Sequence, residues 1–214
     1  MDSLKLIEKL SNAAGVSGFE DDVLDIARAY LEKGFTLEED RIRNLFITPG
    51  TKKKKNVRKK PVVMLDAHSD EVGFMVQSVN ANGTLKFMNL GGWNPQTIGA
   101  HAVRIRNEAG NWIKGVVASK PTHFMSADEM KKPLSLAAMV IDIGATSKKE
   151  VKDQFRIRIG APVVPDVKCL FDKRNGLLFG KAFDDRLGCA ALLEVMKSDS
   201  ASNPEVEVCA ALSS

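Results

Sequence analysis

Between Pro61 and Val76 the chain reads PVVMLDAHSDEVGFMV, an apolar run that ends in a histidine and two acids. Val62, Val63, Met64 and Leu65 form a short, continuously apolar, partly β-branched stretch, the pattern of a strand buried on both faces of a sheet. His68 and Asp70 follow where it ends. Side chains two apart in an extended chain point the same way, so these two share a face at the strand's carboxyl end, which is where open α/β sheets hold their ligands. A neutral imidazole is a good zinc ligand, and a carboxylate beside it fixes its tautomer and raises its basicity. By itself His-x-Asp fits a structural histidine and a turn acid equally well.

A second stretch lies more than a hundred residues on. In GKAFDDRLG (Gly180–Gly188) two adjacent acids, Asp184 and Asp185, precede Arg186 and a helix-like run, Leu187–Met196, that is apolar nearly all round. Such a helix is expected to be buried, with both acids at its amino end, where the helix dipole favours negative charge. A cap needs one acid. The second suits a carboxylate that bridges two cations.

Together the two stretches resemble the metal motifs of the co-catalytic metallo-aminopeptidases of the glutamyl aminopeptidase and tetrahedral aminopeptidase type. The likeness runs along the whole chain. GVSGFE (Gly15–Glu20) and DRIRNLF (Asp40–Phe46) are similar to that family's opening motifs, with Arg43 where a glycine is more usual. GGWNPQ (Gly91–Gln96), PTHFMSADEMKKP (Pro121–Pro133) and IDIGATSKKEV (Ile141–Val151) are similar to its inserted domain.

The resemblance implies an α/β fold: a zinc-peptidase-like α/β/α catalytic domain with an inserted, small, β-barrel-like domain that mediates assembly into homo-oligomers. It also implies two divalent metal ions per subunit, zinc or cobalt, with His68 on one, Asp184 bridging both and Asp70 orienting His68. The peptide bond between Asp184 and Asp185 would be cis. The activity implied is removal of amino-terminal residues from peptides. The family takes its general base from a Glu-Glu pair just after a strand like Val206–Leu212, and further aspartate and histidine ligands from later still. The sequence given stops at Ser214, so these groups are expected outside it, metal occupancy of this chain alone is expected to suffer, and a non-catalytic assembly or peptide-binding fragment is the alternative.

Composition bounds the rest. With 214 residues, 44% of them hydrophobic, the chain is long enough for a substantial core in one or two domains. No run approaches a membrane span and Asp2 and Glu8 lie where a signal peptide would be basic, so no membrane association and a cytoplasmic location are expected. Three cysteines, Cys169, Cys189 and Cys209, include no Cys-x-x-Cys pair and are expected to be buried free thiols. The net charge of +4 is concentrated in Lys52–Lys60, which carries seven positive charges. Without them the chain would be mildly acidic, so the run is expected to be a solvated loop and not a nucleic-acid footprint.

Taken in order, residues 1–71 are the first part of the catalytic domain. Leu4–Ala14 is a helix stopped by Gly15. Ser17 and Glu20 form a capping box for a second helix, whose apolar positions Val23, Ile26, Ala27, Tyr30 and Leu31 have helical spacing up to Gly34. Phe35–Glu38 and Asn44–Thr48 are short strands, followed by a hairpin-like connection from Pro49-Gly50 through the lysines. Residues 72–160 are the β-rich insert, with Asn82-Gly83 as a type I′ hairpin cue and with His101 and His123 structural or interfacial. Residues 161–214 return to the catalytic domain, with strands at Gly176–Lys181 and Val206–Leu212.

Overall fold

The computed structural model describes residues 2–31, 34–50, 60–131, 133–198, 201 and 205–214. In chain order the elements are α1 (Ser3–Asn12), α2 (Asp21–Leu31), β1 (Phe35–Glu39), β2 (Leu45–Pro49), β3 (Val62–His68), β4 (Gly73–Val79), β5 (Leu85–Leu90), α3 (Pro95–Ile98), β6 (Ala102–Arg106), β7 (Trp112–Ala118), α4 (Ala127–Met130), β8 (Val140–Asp142), α5 (Lys148–Glu150), β9 (Pro162–Pro165), β10 (Leu170–Asp172), β11 (Leu177–Phe179), α6 (Phe183–Lys197) and β12 (Glu207–Ser213). They fall into two compact units, Met1–Glu71 with Lys168–Ser214, and Val72–Val167. The expected loop at Lys52–Lys60 lies, apart from Lys60, outside the described residues.

The first unit is a four-stranded sheet in the order β1-β2-β12-β3. β12 runs parallel to β3 and antiparallel to β2, so β2 and β3 are not the two arms of a hairpin as the sequence suggests. Helices α1, α2 and α6 pack their apolar faces with Leu45, Ile47, Ala67, Val208, Ala210 and Leu212 of the sheet into one core. Each leucine, isoleucine or valine so removed from water contributes roughly 1.5–3 kcal/mol.

Two burial expectations are corrected here. Among the described residues strand β3 pairs with β12 alone, and Val62, Val63 and Met64 are 63%, 42% and 55% exposed; an unbroken apolar run marks two covered faces only when neighbours supply both covers. Helix α6 buries Cys189, Ala190, Leu192, Leu193 and Met196 but leaves Leu187 and Val195 open. Segment 176–181 forms β11 of a separate two-stranded hairpin with β10, outside the main sheet.

The second unit is a closed barrel, β4-β5-β8-β7-β6-β9, filled by Phe74, Val76, Leu85, Phe87, Val103, Ile105, Val117, Ile141 and Val163. Because β9 pairs with both β4 and β6, the barrel continues past Gly160 and the unit ends at Val167. The hairpin at Asn82-Gly83 exists, but of these two only Gly83 has positive φ, 86°. Gly83 N donates to Asn80 O at 3.1 Å and Asn80 N to Thr84 O at 2.9 Å, the pattern of a three-residue loop ending in a left-handed glycine instead of a two-residue I′ turn. Asn107–Asn111 repeats it around Gly110.

The motifs quoted from this region do packing work. Trp93 stacks on Phe74 with ring centroids 4.8 Å apart and donates from Nε1 to Gly73 O at 3.1 Å. Asn94 caps α3 by accepting from Gln96 N. Ser147 caps α5 by accepting from Glu150 N, and Glu150 in turn accepts from Thr146 N.

Candidate functional site

Helix α1 ends at Asn12 because Ala13 turns extended. A buried arginine from far along the chain reaches this end: Arg186 Nη1 donates to Leu10 O at 2.7 Å, and Nη2 to Gly15 O, just beyond the helix, at 3.3 Å. Gly15 is required by this approach, since a Cβ there would lie 3.0 Å from Arg186 Nη2 and from Val23 Cγ2. Burial pulls the Arg186 guanidinium below its usual range, against the pull of Glu71, whose charge favours the cation.

The expected capping box is not formed. Helix α2 begins at Asp21, with Val23 N and Leu24 N donating to Glu20 O. The Glu20 carboxylate, fully buried, accepts instead from Gly18 N at 2.7 Å and from the Ser214 hydroxyl. Beside it, Arg43 has φ of 78°, the left-handed region that favours glycine. That conformation is the physical reason a glycine suits this position. Arg43 is held there by Asp21 at 2.6 Å and Glu39 at 3.1 Å, with Glu20 at 3.7 Å.

His68 is the last residue of β3, in parallel register with Ser213 of β12. Its carbonyl accepts from Cys189 Sγ at 3.2 Å, and burial pushes that thiol up to about 12, so Cys189 stays a neutral donor behind the histidine. Cys169 is buried like Cys189, whereas Cys209 is only partly so, and all three are free.

The structure brings His68, Asp70 and Asp184 together. His68 Nδ1 lies 2.9 Å from Asp70 Oδ1, and His68 Nε2 lies 3.0 Å from Asp184 Oδ1, across 116 residues of sequence. The Asp184 side chain is 96% exposed, so its second oxygen is open. Burial works against a charged His68, but hydrogen bonds to Asp184 and Asp70 outweigh it and raise its pKa above the usual value.

The two adjacent acids divide their tasks. Ala182 is left-handed at φ 54°, and Asp184 and Asp185 are non-helical, so the regular turns of α6 begin at Arg186. Asp185 Oδ1 accepts from Gly188 N at 3.0 Å, which is an N-cap bond. Asp184 is thereby left to face His68. The peptide bond between them is cis, as the resemblance implies.

Two donors on one zinc-sized ion, each about 2 Å from it, sit about 3.3 Å apart at tetrahedral angles. The His68–Asp184 separation fits that arrangement, and a carboxylate on Nδ1 keeps the other proton there, so a cation displacing the Nε2 proton would meet the lone pair. Among the described residues no group of three or more His, Cys, Asp or Glu side chains is gathered in metal-binding geometry.

Sequence reading missed the buried ion pair behind this site. Glu71 and Lys181 have side chains only 2% and 6% exposed, with Lys181 Nζ 2.5 Å and 2.6 Å from the two Glu71 oxygens. Both residues stand inside the quoted motifs, as the glutamate of HSDEVG and the lysine of GKAFDD. The signal was present, but nothing in spacing alone says that they meet.

A central α/β sheet whose two sequence halves are separated by a closed β-barrel unit, and a histidine facing an aspartate at the end of a strand, define a zinc-peptidase-like fold. A profile of the M42 glutamyl aminopeptidase family matches residues 50–214, and the chain belongs to that family. It is 34% identical to a TET aminopeptidase from the marine sediment archaeon Thaumarchaeota archaeon SCGC AB-539-E09, with a TM-score of 0.87, covering 98% of this chain and 58% of that one. It is 29% identical to the glutamyl aminopeptidase of Lactococcus lactis subsp. cremoris strain MG1363, over 92% of this chain and 55% of the relative. It is 25% identical to the Pyrococcus horikoshii TET1 peptidase, which can assemble into a tetrahedron or a large octahedral shell, with a TM-score of 0.82 over 99% of this chain and 60% of that one. The chain spans about half the length of the curated relatives it matches.

Proposed function

We propose that this chain carries part of the active site of a metal-dependent aminopeptidase that removes amino-terminal residues from peptides. The observation that carries the reading is the 3.0 Å approach of His68 Nε2 to Asp184 Oδ1. His68 and Asp184 would hold a divalent metal, zinc or cobalt, and Asp184, with its second oxygen open, is the residue suited to bridge to a second ion. When bound, such ions polarise a carbonyl and lower the pKa of a coordinated water.

The chain's own residues do the rest. Asp70 accepts from His68 Nδ1–H, which fixes the tautomer that presents the Nε2 lone pair. Asp185 caps α6 and so fixes the turn from which Asp184 projects. The carboxyl end of β12 lies beside His68, so the Glu-Glu pair that the resemblance puts after this strand, one of which would take the proton, belongs at the same end of the sheet.

Homo-oligomer formation through the barrel unit belongs to the same proposal. Met88, Val116, Phe124, Met130 and Ile159 are apolar and exposed on that unit, side chains that subunit association would cover. The three free thiols support a reducing, cytoplasmic location.

The experiment compares metal-depleted parent chain with His68→Ala and Asp184→Asn by calorimetric titration with zinc and with cobalt. With only part of the ligand set the parent is expected to bind weakly, and each variant to lose at least about tenfold in affinity while keeping its far-ultraviolet spectrum. Equal binding by all three would overturn the metal reading. Hydrolysis of aminoacyl p-nitroanilides by the parent and by the whole-length protein then tests the activity.

A further inference from the structure

We propose that the buried Glu71–Lys181 ion pair is a positioning device that holds Asp184 opposite His68. The proposal deepens the metal reading above and rests on it for its purpose, though not for its geometry. Glu71 lies three residues after His68, and Lys181 three residues before Asp184. The two segments that form the site are therefore joined twice, once at the site by His68 and Asp184 and once behind it by Glu71 and Lys181.

The second junction is tied to a third segment. Lys181 Nζ also donates to Ala13 O at 3.1 Å. Glu71 Oε1 accepts from Gly15 N at 3.1 Å, and Glu71 N donates to Gly15 O at 2.7 Å. On the far side of Asp184, Arg186 reaches Leu10 O and Gly15 O. The stretch from Lys181 to Arg186 is thus pinned at both ends to residues 10–15, the same stretch that pins Glu71.

Between those pins the backbone is irregular, left-handed at Ala182 and non-helical at Asp184 and Asp185. A regular helix or strand would set the direction of Asp184 through its own ladder. Here the pins set it. Stability does not account for the pair, because replacing both partners of a buried ion pair by apolar groups of similar size is often neutral or stabilising. What such a replacement removes is the two-oxygen grip on Lys181 Nζ, and with it the fixed distance between the two segments.

The test uses the full chain carrying Glu71→Gln with Lys181→Met. This removes both charges together and keeps an acceptor for Gly15 N. The variant is expected to unfold cooperatively, with a melting temperature close to that of the parent. Crystal structures without metal should then show the His68 Nε2 to Asp184 Oδ1 separation opened from 3.0 Å to beyond hydrogen-bond range. Titration with cobalt(II) alone should show affinity weakened about 10- to 100-fold, the loss typical of outer partners of metal ligands, with an altered visible spectrum of bound cobalt. A folded variant that keeps the separation, the spectrum and an affinity within about twofold of the parent, well short of that loss, overturns the proposal. If the double variant does not fold, Glu71→Asp, which keeps both charges and shortens the tie to Lys181 by one methylene, is read by the same measurements. Failure of the whole-length protein to bind cobalt would sink the metal reading, while the crystallographic separation still decides the positioning one.

Discussion

Asp185 Oδ1 accepts the Gly188 amide at 3.0 Å, and a Cβ on Gly188 would collide with that same oxygen. The cap and the glycine are one device: the carboxylate can fold over the first turn of α6 only because position 188 has no side chain. It is also what frees Asp184, since a cap supplied by the second acid leaves the first with no duty to the helix.

This predicts strong coupling between the two positions. Asp185→Ala in the parent should cost about 1 kcal/mol, the usual value of an N-cap. Gly188→Ala displaces the carboxylate but gains helix propensity of up to about 1 kcal/mol, so its net effect is small. In the Gly188→Ala background, Asp185→Ala should then cost almost nothing. A double-mutant cycle by urea denaturation that returned additive effects would separate the cap from the glycine.

Arg43 gives a prediction of opposite character. At φ 78° a side-chain-bearing residue is strained by roughly 1–2 kcal/mol where glycine is not, and the parent offsets this with ion pairs to Asp21 and Glu39. Arg43→Ala loses the pairs and keeps the strain, whereas Arg43→Gly loses both. Alanine should therefore be the least stable of the three, by roughly 1–2 kcal/mol relative to glycine. Added salt should lower the parent relative to Arg43→Gly, because partly exposed pairs are screened. An alanine variant as stable as the glycine one would mean that the left-handed backbone relaxes.

These two positions show what could be read from the residues. That His68 and Asp70 share a face follows from their spacing in an extended chain, whereas the pairing of His68 with Asp184 was legible only through the resemblance of the two motifs. The burial of β3 does not follow: Val62–Leu65 looks covered on both faces, and whether it is depends on strand order, which is non-local. Ser17-x-x-Glu20 has the letters of a capping box, but Glu20 is drawn instead to Gly18 N and the Ser214 hydroxyl, a competitor 194 residues away. The Asn-Gly turn was legible as a hairpin but not in its type, since a three-residue loop needs a left-handed residue only at its glycine.

The pH dependence of the metal-free chain is set at His68. Both ring nitrogens face carboxylates, Asp70 and Asp184, and the folded-state pKa is raised above 6.5. A cation stabilised in this way contributes stability that is fully present below the unfolded value and is lost as pH rises through the higher folded value. NMR titration should find the His68 imidazole deprotonating above 6.5, and Asp184→Asn should bring it down. A midpoint below 6.5 in the parent would mean that burial outweighs the two carboxylates.

The most informative substitution is Asp70→Asn. The Asp70 carboxylate can only accept, so Nδ1 keeps its proton, and once the proton shared with Asp184 is displaced Nε2 offers its lone pair. An amide can also donate, and if the substituted side chain turns its NH2 to Nδ1 the proton moves to Nε2, the nitrogen that a metal would need. The wrong-tautomer penalty is known from triads in which an asparagine replaces the aspartate behind a histidine. Asp70→Asn should therefore leave folding intact, since the Asp70 side chain is partly exposed and lies outside the Ala13–Gly15 junction, yet weaken zinc affinity by about 10- to 100-fold. Imidazole nitrogen chemical shifts, which distinguish the tautomers, should show Nε2–H enriched in the variant. Zinc affinity should also fall as pH falls in the parent, because binding must displace the proton that His68 shares with Asp184. If Asp70→Asn bound zinc as tightly as the parent with an unchanged tautomer, Asp70 would be a bystander and the orientation of His68 would have to come from its backbone alone.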